Sequence, residues 1–150
     1  MVSVPKPSAL LAICPCSVRE SDPQSYAECC RPWHEGFAKG IHAPSAQALM
    51  RSRYSAYALA KRNDSFGHAM LQYLHDTWHV STAPGEIELG PVQWTGLEVL
   101  HAQENTDVAV VEFIAHFKVN GKAEKMQELS RFIRLEGAWK YIDGDVSEGN

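Results

Sequence analysis

Apolar residues recur at two different periods along this 150-residue chain, and the change of period divides it into zones. Over residues 44–79 they return every three or four positions, the spacing of an amphipathic helix. At about 100° per residue, Ala46, Leu49, Met50, Ala56, Tyr57 and Ala60 share one face of a helix that opens at Pro44 and runs through "APSAQALMRSRYSAYALAKRND". Arg53 lies at the centre of that apolar stripe, whereas Arg51 points nearly the opposite way, toward solvent. A second helix is expected over "DSFGHAMLQYLHDTWH", with Asp64 as its N-cap. Over residues 86–143 the period falls to two. Ala109, Val111, Phe113, Ala115, Phe117 and Val119 share the face expected to be buried, and Val110, Glu112, Ile114 and His116 the other. Turn signals stand at Gly90-Pro91, residues 104–107, Asn120-Gly121 and Glu136-Gly137. Helices followed by an antiparallel meander predict an α+β domain, with the helices packed on one face of a curved sheet.

Composition narrows the function classes. The length suits one domain with a small appendage. A formal charge of -4 and the lack of a long Lys/Arg run argue against nucleic acid and against an anionic membrane surface. The apolar run Ala9–Ile13 is too short for a signal-peptide core or a membrane span, and Ile13 is too bulky to precede a lipoprotein cysteine. A cytoplasmic location is expected, where thiols stay reduced.

Residues 1–36 show no sustained period and are rich in Pro, Ser and Cys. All four cysteines of the chain, Cys14, Cys16, Cys29 and Cys30, fall there. Four thiolates are what a closed tetrahedral zinc site needs, and a segment this short cannot bury a core without such a staple. One structural zinc per chain is expected on these four side chains. A redox pair, unrelated thiols, or His34 as fourth ligand in place of Cys30 are the alternatives.

The run "CPC…Y…CC" resembles the SEC-C motif, a zinc-binding segment also found at the carboxyl end of the bacterial translocase motor SecA. The stretches "ALMRSRYSAY", "TWH.ST" and "W.Y.DG" extend a resemblance to the YchJ-like bacterial family over residues 14–144. The resemblance implies a SEC-C-like zinc knuckle over residues 1–36. It implies a nuclear transport factor 2-like (NTF2-like) domain over 37–150, a cone of helices wrapped by a curved antiparallel sheet. It implies a fold and a metal, not a reaction. The chain departs from the family at "SVRESD", where Gly-Ser-Gly is usual, which lengthens the knuckle loop. Val80 and Ala83 stand where Pro and Arg are usual, which weakens any anion-binding role there. The second SEC-C motif that many relatives carry at the carboxyl end is not found before Asn150.

A cone of this kind encloses a cavity between the long helix and the sheet. Arg53 faces that side by helical phase. Glu128, Ser130 and Phe132 share a strand face, as do Trp139, Tyr141 and Asp143. The expected site is therefore Arg53, Tyr57, Trp78, Glu128, Ser130, Trp139, Tyr141 and Asp143, with Arg53 bonded to Glu128 or Asp143. The bland reading is an ion pair that fixes helix on sheet; the sharper one is an arginine that grips a carboxylate or phosphate. His75 and His79, spaced i, i+4, offer a second metal site with no accompanying HExxH glutamate, and His116 is expected to pair with Glu112. Two roles stay open. One is a non-enzymatic adaptor whose knuckle docks a protein partner in translation or export, with apolar surface at Trp33 and Phe37. The other is a small-molecule binder or enzyme using the cone pocket.

Overall fold

A computed structural model describes residues 12–61 and 64–148 of the chain. Two 3-10 turns, Pro15–Ser17 and Tyr26–Glu28, lead into the short helix α1 (Arg31–Gly36). The long helix α2 (Ala46–Leu59) and helix α3 (Ser65–Asp76) follow, then strands β1 (Gln93–Asn105), β2 (Val108–Val119), β3 (Lys122–Leu135) and β4 (Ala138–Glu148). The strands form one antiparallel meander in the order β1-β2-β3-β4, so the architecture is α+β as the periods predict. The apolar run Ala9–Ile13 and the first eleven residues of the 1–36 segment lie largely outside the described residues, as do Arg62 and Asn63 of the expected helix end.

Helix α2 starts two residues later than Pro44 suggests. Ser45 is the N-cap, its Oγ accepting from Ala48 N at 3.0 Å. Ala46 N donates to Glu104 Oε1 at 2.6 Å, so a carboxylate from the far end of β1 meets the positive helix terminus. Asp64 caps α3 through Gly67 N at 2.9 Å, as expected. That helix ends at Asp76 rather than running on to His79. Thr77 and Trp78 instead lie along β4: Tyr141 N donates to Thr77 O at 2.9 Å, and His79 N to Tyr141 O at 2.8 Å. This short parallel bridge ties Trp78 to Tyr141.

The inner face of β2 is buried at Ala109, Val111, Phe113 and Ala115, but only half-buried at Phe117 and Val119, where the sheet outruns the helices. Asn120-Gly121 and Glu136-Gly137 turn with positive φ at both residues, the pair of left-handed conformations that a tight hairpin requires. Irregularities in β1, between Trp94 and Gly96 and between Val99 and His101, bend the sheet around α2. A third, in β4, pairs Arg131 with Asp143 and Phe132 with Tyr141, so that Ile142 is the extra residue.

The cysteine segment is packed into the domain. Cys14, Cys16, Tyr26 and Cys30 belong to the same apolar cluster as Leu49, Met50 and Phe132. Helix α2 is consequently buried on more than one side. Ser52 and Ser55 on its other flank are as inaccessible as Ala46 and Ala56, because small side chains let the cysteine turns approach closely. At the edge of β1, the Arg19 side chain lies across Gly96, at a spot where any side chain on residue 96 would collide with it.

Candidate functional site

The two cysteine pairs meet because the chain folds back on itself between them. Cys14 N donates to Gln24 O at 2.7 Å and Tyr26 N to Ala12 O at 2.8 Å. Ser17 Oγ, which takes Gln24 N at 3.0 Å, sets the loop between them. Cys14 and Cys16 then face Cys29 and Cys30. Cys16 Sγ is 3.8 Å from Cys14, 3.5 Å from Cys29 and 3.6 Å from Cys30, and Cys29 is 3.9 Å from Cys30. A disulfide needs about 2.05 Å, and all four thiols are free. A tetrahedron with metal–sulfur bonds of about 2.3 Å has edges of about 3.8 Å. The four sulfurs, all within 4.8 Å of one another, fit a metal ion of that geometry.

The thiols also shift one another's pKa values. The hydrogen bond from Cys16 holds the Cys14 thiol far below the ordinary range, while the bond to Cys14 pushes Cys16 and Cys30 far above it. The bond to Cys14 raises Cys29, but its bonds to Cys16 and Cys30 leave it lowered overall, so two of the four thiols are lowered and two raised. Ser55 Oγ donates to Cys30 Sγ at 3.3 Å and lies 3.3 Å from Cys14 Sγ, linking the cluster to α2.

His34 takes no part in the cluster. Its Nε2 stands 2.8 Å from the Ser52 carbonyl, which can only accept, so Nε2 carries the proton and Nδ1 accepts from Tyr26 Oη at 2.7 Å. Both nitrogens are spent, and burial pushes its pKa down to about 4. Among the described residues, the group able to hold a metal is the four cysteines. His75 and His79 form no second site: His75 is exposed beside Asp76, and His79 Nδ1 is bonded to Ser81. Arg51 does not point into solvent either. It donates to Cys16 O at 3.2 Å and to Glu20 Oε1 at 2.6 Å, bracing the cysteine loop against α2.

Between α2 and the sheet lies a cavity of about 200 Å³. Arg53, 5% exposed, forms part of its wall. Its acceptors differ from those expected. Nη1 donates to Leu74 O and to Thr77 Oγ1, each at 2.7 Å, at the C-terminal end of α3 where helix carbonyls lack partners. The guanidinium carbon lies 4.9 Å from the centre of the Trp78 ring and 4.7 Å from that of Tyr141, two aromatic faces that stabilise a cation. Nε and Nη2 make no hydrogen bond to the described residues.

Glu128, Ser130, Tyr57, Trp78 and Tyr141 line the cavity as expected, and Trp94 and Met126, which the strand pattern did not single out, line it too. The Glu128 carboxylate accepts from Ser130 Oγ and from Tyr141 Oη at 3.3 Å. Gly144, opposite Ser130 on β4, leaves the space this carboxylate occupies. Burial raises the phenol pKa of Tyr57 and of Tyr141, the latter helped by Glu128, so both stay protonated at neutral pH.

Two expected members are elsewhere. Asp143 faces outward and pairs with Arg131 at 2.6 Å, because the extra residue Ile142 shifts the alternation of β4 by one position. Trp139 is buried outside the cavity lining, with Trp33, Phe37 and Leu49, and Arg134 covers its ring. On the outer face, His116 Nε2 meets Glu98 Oε2 on β1 at 2.5 Å, while Glu112 accepts from Gln127. Trp33 and Phe37 are half-buried against the core.

Residues 45–144 match YchJ, middle NTF2-like domain. The chain is 42% identical over 144 residues to a UPF0225 protein of Bordetella parapertussis, covering 94% of this chain and 98% of that one. It is similar to the crystal structure of a SEC-C motif containing protein from Psychrobacter arcticus, with TM-score 0.74, 27% identity and coverage of 95% and 87%. The solution structure of a SEC-C motif containing protein from Rhodopseudomonas palustris is also similar, with TM-score 0.69, 27% identity and coverage of 85% and 96%. No helix among the described residues is long and apolar enough to cross a membrane.

Proposed function

This chain belongs to the YchJ-like UPF0225 family, and we propose that it is a zinc-stapled binding protein whose cone cavity takes a small molecule bearing a carboxylate. One observation carries the reading. Arg53 is buried, permanently charged and held by two aromatic rings, yet two of its three nitrogens have no acceptor among the described residues. A guanidinium used only to fix packing spends its donors on the protein; one with donors left over beside a cavity suits a ligand oxygen. The walls supply apolar area and the arginine supplies orientation, the usual division of labour in a small-molecule site.

Zinc is the metal we assign to the four thiolates, since a closed all-sulfur tetrahedron is its structural coordination. Cys14, Cys16, Cys29 and Cys30 would hold it, with Ser55 and Arg51 fixing the ligand loops from α2. Its role is to hold the segment in place, and the cavity residues act without it. An adaptor role for the knuckle, reaching a protein of the translation or export machinery, is a second reading, and it would use the half-buried Trp33 and Phe37. A cytoplasmic setting, in which these thiols stay reduced, belongs to the same proposal.

Ligand-observed NMR with a panel of small carboxylates and their neutral amides tests the cavity. Carboxylates are expected to bind the protein, and to lose binding both in Arg53→Met and in Met126→Trp, which fills the cavity while keeping the arginine. Amides binding as well as acids, or binding that survives Met126→Trp, would overturn the reading.

A further inference from the structure

The cavity holds two opposite charges that are kept apart. Arg53 and Glu128 both line it, yet they form no ion pair. Tyr141 is the spacer: its ring face lies against the guanidinium at 4.7 Å, and its hydroxyl, at the far end of the same ring, reaches Glu128 Oε2 at 3.3 Å. Each ion keeps unused capacity. Among the described residues, Nε and Nη2 of Arg53 have no acceptor, and the Glu128 hydrogen bonds all fall on Oε2, leaving Oε1 without a donor. The rest of the lining is largely apolar and aromatic, with Trp94, Phe113 and Met126 among it. Trp78 Nε1, on another lining residue, is the buried side-chain nitrogen or oxygen without a partner among the described residues.

An anion alone would satisfy Arg53 but bring a second negative charge toward Glu128. A cation alone would do the reverse at Arg53. A ligand that carries both charges leaves the cavity as neutral as it found it and fills both sets of unused bonds. Size sets a further limit, since a dry apolar cavity of ~150 Å³ admits benzene. A volume of about 200 Å³ leaves room for an aliphatic or single-ring body with a short charged arm.

We propose that the natural ligand class is the compact apolar zwitterion, such as an aliphatic α-amino acid, its carboxylate on Arg53 and its ammonium on Glu128. This rests on the cavity being a ligand site, and the experiment separates the two claims. Leucine, 4-methylpentanoate and isoamylamine have the same branched body and differ only in carrying both charges, the negative one or the positive one. Each is titrated into the metal-loaded protein by calorimetry, with the Trp78 Nε1 NMR resonance reporting occupancy of the cavity. Leucine is expected to bind about tenfold or more tighter than either single-charge analogue. Glu128→Gln is expected to erase most of the gap between leucine and 4-methylpentanoate. That variant keeps a hydrogen-bonding side chain of the same shape, so its fold is not at risk as it is in Arg53 variants. If 4-methylpentanoate equals or exceeds leucine, the zwitterion is wrong while the carboxylate site stands. If isoamylamine binds best, both assignments fall. If none of the three moves the Trp78 resonance at millimolar concentration, the cavity is not a ligand site for this class and the reading beneath it fails as well.

Discussion

Arg51 Nη2 donates to Glu20 Oε1 at 2.6 Å, across the seam between α2 and the cysteine loop. With its second bond to Cys16 O, it joins the loop that carries Cys14 and Cys16 to the helix that carries Arg53. Glu20 is more than a third exposed, so solvent screens the pair and its contribution is modest. Arg51→Ala is expected to cost about 1 kcal/mol in a denaturant melt, chiefly through the lost bond to the Cys16 carbonyl. It should also hasten metal transfer to a chelator. Wild-type kinetics of transfer would show that the brace does not hold the loop.

The four cysteines carry the next expectation. Protein made in zinc-replete medium should contain about one equivalent of zinc, and any single Cys→Ser change at positions 14, 16, 29 or 30 should release it. Because Cys14, Cys16 and Cys30 lie in the same apolar cluster as the sheet, removal of the metal should lower the melting temperature of the whole domain. His34→Ala should keep its zinc, since both ring nitrogens face other partners. Elemental analysis decides: a metal-free wild type, or zinc lost with His34 but kept without Cys30, would refute the assignment.

Arg53 has no carboxylate partner, so its truncation strands no opposite charge. Arg53→Ala should still cost about 3 kcal/mol, from the void and from the bonds lost at Leu74 O and Thr77 Oγ1. Arg53→Met keeps the volume and removes a desolvated ion, so its cost should be much smaller. Equal losses in chemical melts would mean that the charge itself, rather than the filled space, holds the helices together.

Acid should act through His34. The folded pKa is about 4 against an ordinary 6.5, so between those values the unfolded chain binds a proton that the folded one refuses. Stability is then complete above pH 6.5 and falls as pH drops through the window, by up to about 3 kcal/mol. Thiolate protonation also weakens metal binding in acid, and it is common to wild type and His34→Gln. The difference between their stability profiles isolates the histidine. Parallel profiles from pH 7 to pH 4 would show that His34 titrates normally.

Local chemistry wrote much of this fold into the chain. Alternation along Ala109, Val111, Phe113 and Ala115 marks the buried face of β2 with no knowledge of its neighbours, because a strand exposes its two sides by parity. The Asn120-Gly121 and Glu136-Gly137 turns, the Asp64 cap and the burial of Arg53 follow from equally local rules. The pairing of four clustered thiols was legible for the same reason, since few structures other than a metal site bring Cys14 and Cys16 to Cys29 and Cys30.

Tertiary structure decided what parity and phase cannot carry. One extra residue, Ile142, reverses the alternation of β4, so Asp143 turns outward to Arg131 while Tyr141 stays inward. A bulge answers to strain across the sheet rather than to any residue type. The partners of Arg53 are a backbone carbonyl and a hydroxyl at the end of α3, and a carbonyl leaves no mark in a side-chain pattern. Arg51 looked solvent-facing because helical phase knows one core, whereas the cysteine segment gives α2 a second covered flank. The separation of Arg53 from Glu128 by the Tyr141 ring is likewise a fact of packing between three elements distant in sequence.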